Sequence, residues 1–504
     1  MLVRVRSGAV LGIDVVPVDV EVETPLGMPN YHVVGLPGSA VHESKVRVLA
    51  ALRNLAVELP SKRVVVNLAP GDLRKEGPGF DLPIAMGLLA TVNRVTPASL
   101  EEIHFVGELA LSGEVRPVRG VLPLAIAARK ARARGIVVPE ANALEASIVE
   151  GIAVVPARHL GDVVAWLRGE RDPPPAPRPP AEAPASALDL CDVAGQEGAK
   201  RALEVAAAGG HNLLLFGPPG SGKTMLARRL PGILPPFSFD EALEATVVHS
   251  VAGLTRHRGL LCERPFRAPH HSISDAGLVG GSQIPRPGEV SLAHHGVLFL
   301  DELPEFRRHV LEALRQPAED GEVTISRAAR SVTYPAHFVL VAAMNPCPCG
   351  YHGDRTRACR CSVHELVTYR RRISGPLLDR IDLHVDVPAV PQPLLATAGS
   401  GPPSAAVRAR VVQARSAQAD RAGPRGARWN ARLRGASLRR HCAPDEAGRR
   451  LLAKAVDKLG LSARAHDKVL RVARTLADLE GADAVRAPHV AEAIQYRALD
   501  RPLG

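Results

Sequence analysis

The chain has 504 residues, 46% of them hydrophobic and 3% aromatic, with a formal net charge of +11. At roughly 100–200 residues per domain, that length holds three or four domains with real cores, and the composition excludes a wholly disordered chain. No apolar run reaches the roughly 18 residues of a membrane helix, and charges interrupt the valine-rich N-terminus as they do not in a signal peptide, so a cytoplasmic (cytosolic) protein is expected.

The charge is unevenly placed. Residues 1–170 carry 18 basic and 18 acidic residues, whereas 401–450 carry 12 basic and 3 acidic. The late excess is a candidate polyanion-binding surface or, equally, a solvated helical face. Scarce aromatics argue against a single-strand platform built on base stacking.

In chain order, VDVEVE at 18–23 alternates like a strand, and SKVRVLAALRNL at 44–55 reads as a helix opening on Ser44 as N-cap. RVVVNL at 63–68 predicts a strand and DLPIAMGLLATV at 81–92 a helix. LPLAIAARKARARG at 122–135 predicts a helix ending at Gly135. Residues 1–170 thus form an α/β or α+β domain. Seven prolines in 171–187 make a stiff, extended linker. Across 188–390, apolar strands at 212–217, 297–302 and 338–345 alternate with helices, which predicts a parallel, doubly wound sheet. After an irregular stretch at 391–404 the chain reads as helical, giving an all-α end over 391–504 that is arginine-rich at 408–450.

Gly217-Pro218-Pro219-Gly220-Ser221-Gly222-Lys223-Thr224 matches a phosphate-binding loop between an apolar strand and a helix. The glycines let backbone N–H groups turn toward phosphates at a helix N-terminus. Lys223 is assigned to the β/γ-phosphates of ATP and Thr224 to Mg²⁺. Val297–Leu300 leads into Asp301, expected to hold Mg²⁺ largely through water, and Glu302, expected to act as general base on the attacking water. Asn345, ending another apolar strand, is placed to orient that water. His270 and His271 are adjacent, and neighbours on a strand face apart, which argues against a shared metal.

Four of the seven cysteines form Cys347-x-Cys349-x9-Cys359-x-Cys361. In a cytosolic chain such a cluster suggests structural zinc, with buried thiols or a redox pair as alternatives. The spacing departs from the usual C-x2-C knuckle, and Pro348 and Gly350 supply the tight path it needs.

These motifs together resemble the AAA+ ATPases, and more closely the ComM/YifB family of magnesium-chelatase-like proteins. The resemblance runs through VVGLPGSAVHESKVRV at 33–48, LRKEGPGFDLPIA at 73–85, FRAPHHSISDAGLVGG at 266–281, AMNPCPCG at 343–350, SGPLLDRIDLHV at 374–385 and LSARAHDKVLRVARTLADLEG at 461–481. It implies an AAA+ core over 188–390, a helical lid over 391–504 and a Lon-protease-like α+β domain over 1–170. It implies a homohexamer in which a neighbour supplies Arg380 to the γ-phosphate, with Arg464 as a second sensor acting in its own subunit or the next. The 77 residues between Lys223 and Asp301 include a segment resembling the helix-2 insertion, and 321–338 resembles the hairpin before the first sensor. That hairpin offers Arg327 and Arg330 for backbone phosphates. The Lon likeness puts Gly79 at the serine's place and Leu122 at the lysine's, so no peptidase is expected. The function implied is an ATP-driven helicase on single-stranded, forked or branched DNA, promoting branch migration in recombination and natural transformation. A magnesium-chelatase-type subunit remodelling a metal-inserting enzyme, or a Lon-like adaptor, is the alternative.

Overall fold

The computed structural model describes residues 2–59, 62–177, 188–255, 259–281, 285–327, 330–354, 357–395, 399, 401–423, 429–497 and 499. Residues 178–187 of the proline-rich linker lie outside the described residues.

The N-terminal unit is built on β1 (Leu2–Leu11), β2 (Asp14–Glu23), β3 (Asn30–Val34), β4 (Arg63–Ala69), β5 (Ile103–Phe105), β8 (Gly135–Pro139) and β9 (Ala153–Ala157), with β6 (Glu108–Leu109) and β7 (Val115–Arg116) as a small separate pair. The main sheet runs β3-β4-β2-β1-β5-β8-β9. β1 and β2 pair antiparallel, whereas β5, β8 and β9 continue in parallel. In β1 the alternation of valine with arginine buries Val3 and Val5 and leaves Arg4 and Arg6 outside, the period-2 pattern of a sheet with one dry face. Helices α1 (Ser39–Asn54), α2 (Asp81–Thr91), α3 (Val121–Lys130), α4 (Glu140–Ala146) and α5 (Leu160–Leu167) complete this unit. Every residue of α2 from Asp81 to Ala90 is buried.

Two helix boundaries differ from the sequence reading. α1 starts five residues earlier, with extended Gly38 as N-cap, and Ser44 lies inside it with its hydroxyl donating to the Val41 carbonyl at 2.6 Å. A serine that returns its proton to the preceding turn imitates a cap in sequence without being one. α3 ends at Lys130, and Arg132 turns at φ 58°, so Gly135 opens β8 instead of closing the helix. The run Gly135–Pro139 is wholly buried, and the β-branched residues decide the matter.

The second unit carries β10 (Leu213–Phe216), β11 (Phe266–Arg267), β12 (Val297–Leu300), β15 (Val339–Met344) and β16 (Leu383–Asp386) in the order β11-β12-β15-β10-β16. All neighbours are parallel, as the apolar strand runs predict. β13 (Glu322–Arg327) and β14 (Arg330–Pro335) form an antiparallel hairpin between β12 and β15. Around the sheet lie α6 (Glu197–Gly209), α7 (Lys223–Ile233) and α8 (Phe239–Ala252). The helical end, including Ser404–Ala422, Glu446–Leu459, Ala463–Leu479 and Ala487–Gln495, shares one apolar core with this sheet, running from Leu190 to Tyr496.

Arginines of the basic segment fasten that end down. Arg408 donates to the Gly232 carbonyl at 2.8 Å, near the end of α7, and Arg415 to the Ala207 carbonyl at 2.8 Å, near the end of α6. Cations and donors at helix C-termini satisfy orphan carbonyls and oppose the dipole. Arg410 pairs with Glu204 at 2.6 Å, and Arg421 with buried Asp478. Among the described residues, several of the late arginines therefore do structural work, whereas Arg439, Arg440, Arg449 and Arg450 stay exposed.

The two units meet along α3 and α8. Ser250 accepts the Gly120 N–H on its carbonyl at 3.0 Å and the Leu122 N–H on its hydroxyl at 3.3 Å. Thr255 donates to buried Glu145 at 2.6 Å, and Val247 joins the apolar cluster of Val121, Leu122 and Ala125. Among the described residues, no helix is long and apolar enough to cross a membrane.

Candidate active site

The phosphate loop leaves buried β10 and enters α7 through Gly220 at φ 76° and Gly222 at φ 93°. A Cβ at either glycine would meet nothing, so the space a phosphate needs is open while the conformation still demands glycine. Lys223 is buried, and its Nζ donates to the carbonyls of Gly217 and Pro218 at 2.8 Å each and to Asn345 Oδ1 at 3.3 Å. Burial draws its pKa down, against the pull of Asp301. Ser221 Oγ is buried without a partner, a spare donor facing the loop. These groups fit a polyphosphate.

Next to them, Thr224 Oγ1 donates to Asp301 Oδ2 at 2.7 Å. A hydroxyl and a carboxylate on adjoining elements make an oxygen donor pair suited to Mg²⁺. Asp301 Oδ1 accepts the Glu302 N–H at 2.9 Å, and Glu302 sits at φ 52° with an exposed side chain. That left-handed turn, rare for a non-glycine residue, swings its carboxylate out of the strand line. A cavity of about 520 Å³ opens beside it, walled by Glu302, Glu305, Asn345, Pro348, Tyr369 and Arg372. The parallel sheet thus brings the predicted loop, Asp301, Glu302 and Asn345 to one edge.

His271 is the neighbour the sequence did not reveal. β11 ends at Arg267, so the histidine pair is not on a strand; the two rings stack tilted, 4.0 Å apart, instead of facing away from each other. His271 Nδ1 lies 3.4 Å from Glu302 Oε2, and its ring meets Phe306 edge-on. The pairing of a post-strand loop with a distant carboxylate leaves no spacing signal.

Arg380 and Arg464 are elsewhere. Together they line a second cavity of about 320 Å³ with Glu319, Asp379, Asp382 and Lys468, and no residue of the phosphate loop reaches it. Arg380 pairs with Glu319 at 2.7 Å and donates to the Pro376 carbonyl at 2.7 Å. Arg464 is 67% exposed and 3.9 Å from Asp379. The two arginines share a face apart from the phosphate loop of this chain. Further along the same helix Arg474 is buried against Asp478, whereas Arg464 itself is exposed.

Arg327 and Arg330 are opposed in the last pair of the β13–β14 hairpin; residues 328–329 and both side chains lie outside the described residues. The middle of the hairpin packs on the N-terminal unit, where Gly12 abuts Val332 and Leu11 and Ile13 join the same cluster.

The Sγ atoms of Cys347, Cys349, Cys359 and Cys361 all lie within 4.8 Å of one another. Cys347–Cys349, Cys349–Cys359 and Cys347–Cys359 are 3.3, 3.6 and 3.8 Å apart, and no disulfide joins them. Backbone N–H groups of Arg360 and Tyr351 draw the Cys349 thiol down to about 6.

A second cluster of ligand types, Glu244, His294 and His295, behaves differently. His294 Nδ1 accepts the His337 N–H at 3.1 Å, which puts its proton on Nε2, 3.3 Å from Glu244. That nitrogen is a donor and not a metal ligand. In the N-terminal unit, a Cβ at Gly79 would face Val106 and Val118, and Leu122 is buried, so apolar groups fill the places where the Lon likeness expects serine and lysine.

Comparison with known proteins adds the following. The family model for magnesium chelatase, subunit ChlI, matches residues 189–395; that for subunit ChlI of Mg-chelatase matches 20–142, and that for the ChlI C-terminal part matches 401–497. Competence protein ComM of Haemophilus influenzae is 47% identical over 509 residues, covering 100% of this chain and 98% of that protein. Uncharacterized protein YifB of Salmonella typhimurium is 45% identical, again over 100% and 98%. A magnesium-chelatase 38 kDa subunit of Rhodobacter capsulatus is 31% identical over 31% of this chain and 49% of that protein.

Proposed function

Because this chain belongs to the ComM/YifB family of magnesium-chelatase-like AAA+ ATPases, we propose that it is an ATP-driven homohexameric DNA motor, a helicase that moves branched or forked DNA during recombination and competence in the cytoplasm. The observation that carries this reading is the division of labour between two cavities. Within the chain Glu302 and Asn345 line one cavity, and Arg380 and Arg464 line another that no phosphate-loop residue reaches, which suits a ring whose neighbouring subunits each supply one half of a site.

In this reading Lys223 exchanges its carbonyl partners for the β- and γ-phosphates, and the backbone of 217–222 holds the remaining oxygens. Thr224 and Asp301 would hold Mg²⁺, which would supply positive charge against the phosphates. Glu302 accepts the proton of the attacking water, and Asn345 fixes that water's direction. Arg380 leaves Glu319 to meet the charge that develops on the transferred phosphoryl group, and Arg464 acts beside it, in the neighbour's site. Cys347, Cys349, Cys359 and Cys361 would hold a structural Zn²⁺. Residues 1–170 are a Lon-like unit without peptidase activity, joined through 171–187 to the AAA+ core at 188–390 and the lid at 391–504. Arg327 and Arg330 contact DNA backbone from the hairpin.

The test compares the wild type with Glu302→Gln on single-stranded, forked and four-way DNA. The wild type should show DNA-stimulated ATP turnover and strand displacement, and the variant should bind both ligands without turnover. ATP turnover that ignores DNA at moderate salt would instead support an ATPase remodelling a partner enzyme, the activity suggested by the likeness to the chelatase subunit.

A further inference from the structure

The four-cysteine cluster is not remote from the nucleotide site. Cys347 follows Asn345 by one intervening residue, and Pro348 walls the cavity that holds Glu302 and Asn345. Gly350, at φ 89°, lies against the phosphate loop: a Cβ there would stand 2.7 Å from Cδ and 2.8 Å from Cγ of Pro219. The spacing of the sulfurs suits one ion. Zinc–thiolate bonds of about 2.3 Å in a tetrahedron put sulfurs about 3.8 Å apart, against observed separations of 3.3, 3.6 and 3.8 Å. Backbone N–H groups of His352 and Cys361 point at Cys347 Sγ and Cys359 Sγ at 3.3 and 3.4 Å, donors that suit thiolates.

We infer that Cys347, Cys349, Cys359 and Cys361 bind a thiophilic divalent ion of the zinc class, and that this ion is part of the ATP site. It fixes the short chain path Cys347–Gly350, and that path supports the phosphate loop at Pro219 on one side and the catalytic cavity at Pro348 on the other. Loss of the ion releases Gly350 from Pro219 and loosens the loop before any nucleotide arrives. The inference rests on the ATP-site reading and adds a metal to it.

The experiment uses the full chain. Metal content is measured on freshly purified protein, on protein treated with a thiol-competing chelator, and on protein refilled with Zn²⁺ or Co²⁺. Binding of a non-hydrolysable ATP analogue is titrated in each state, with Lys223→Ala as reference. One zinc per chain is expected, with thiolate-to-cobalt charge-transfer absorption in the refilled sample. Nucleotide affinity should fall about tenfold or more on stripping and return on refilling. Gly350→Ala, which presses on Pro219 and strains the path beside Cys349, should lose nucleotide affinity together with metal, and this variant stands even if cysteine variants fail to fold. Absence of bound metal, or unchanged nucleotide affinity in the stripped protein, would overturn the inference. A wild type that binds metal but no better than Lys223→Ala binds nucleotide would overturn the ATP reading instead.

Discussion

Neither Lys223→Ala nor Arg380→Ala alone should turn over ATP, yet an equal mixture of the two should. Lys223 belongs to the phosphate loop, and Arg380 lines a cavity that shares no residue with it. Removing an arginine that meets the transferred phosphoryl group costs about 10³-fold in turnover or more, or ~4 kcal/mol of barrier. In a mixed ring, a site is intact where the subunit giving the loop carries Arg380→Ala and its neighbour carries Lys223→Ala. With random assembly through head-to-tail interfaces, about a quarter of sites meet that condition. Phosphate release at saturating ATP should therefore recover to about a quarter of the wild-type rate, on the order of a hundredfold above either variant. A mixture no faster than its components would refute the assignment of Arg380 to a neighbour's site. Arg464→Ala mixed with Lys223→Ala applies the same test to Arg464.

Asn345→Ala should lower kcat by about 10²-fold with little change in nucleotide affinity, since Asn345 only brushes Lys223 at 3.3 Å; a matching loss of affinity would make it a binding residue. His104 and His337 are held at about 4, chiefly by burial and then by Arg6 and Arg432. Both stay neutral in the fold, while the unfolded chain takes up protons near pH 6.5. The stability they preserve is present above pH 6.5 and lost as pH falls toward 4, about 1–2 kcal/mol each after allowing for partial exposure. Urea midpoints at pH 7.5 and 5.0 check this, and His104→Leu should flatten the slope. Arg408→Gln with Arg415→Gln should lower the melting temperature through lost helix-end contacts and leave the salt dependence of DNA binding unchanged. Reversing Arg439, Arg440, Arg449 and Arg450 should do the opposite, reducing the slope of log affinity against log salt by about 0.9 per lost phosphate contact on duplex DNA.

The parallel sheet and the gathering of the candidate site's residues at its edge were legible because their signals are local. A strand of four apolar residues ending in Asp301-Glu302, and a glycine loop before a helix, announce themselves in a few positions. Helix ends were less legible. Ser44 and Gly135 are residues that usually mark boundaries, but a buried hydroxyl bond and a β-branched run overrode them. His271 beside Glu302 was hidden because the contact joins segments 31 positions apart through a loop without periodicity. The arginine-rich segment misled in a different way. Charge counting cannot tell an arginine facing solvent from one spent on a helix-end carbonyl, and Arg408 and Arg415 are of the second kind.

Ser250 gives the proline-rich connector an unexpected status. That one residue, on the helix leading into the long insertion, receives two N–H groups from the start of α3. The joint between the two units is then closed at α3 and α8 independently of the connector, and cutting the gene at the prolines would not yield two self-sufficient pieces. An isolated core would present bare Val247 and a serine with two vacancies, and in the amino-terminal piece Glu145 would lose the Thr255 hydroxyl and keep only Asn142. Coexpressed halves, by contrast, should find each other without any covalent link, which makes the connector a natural site for inserting a reporter.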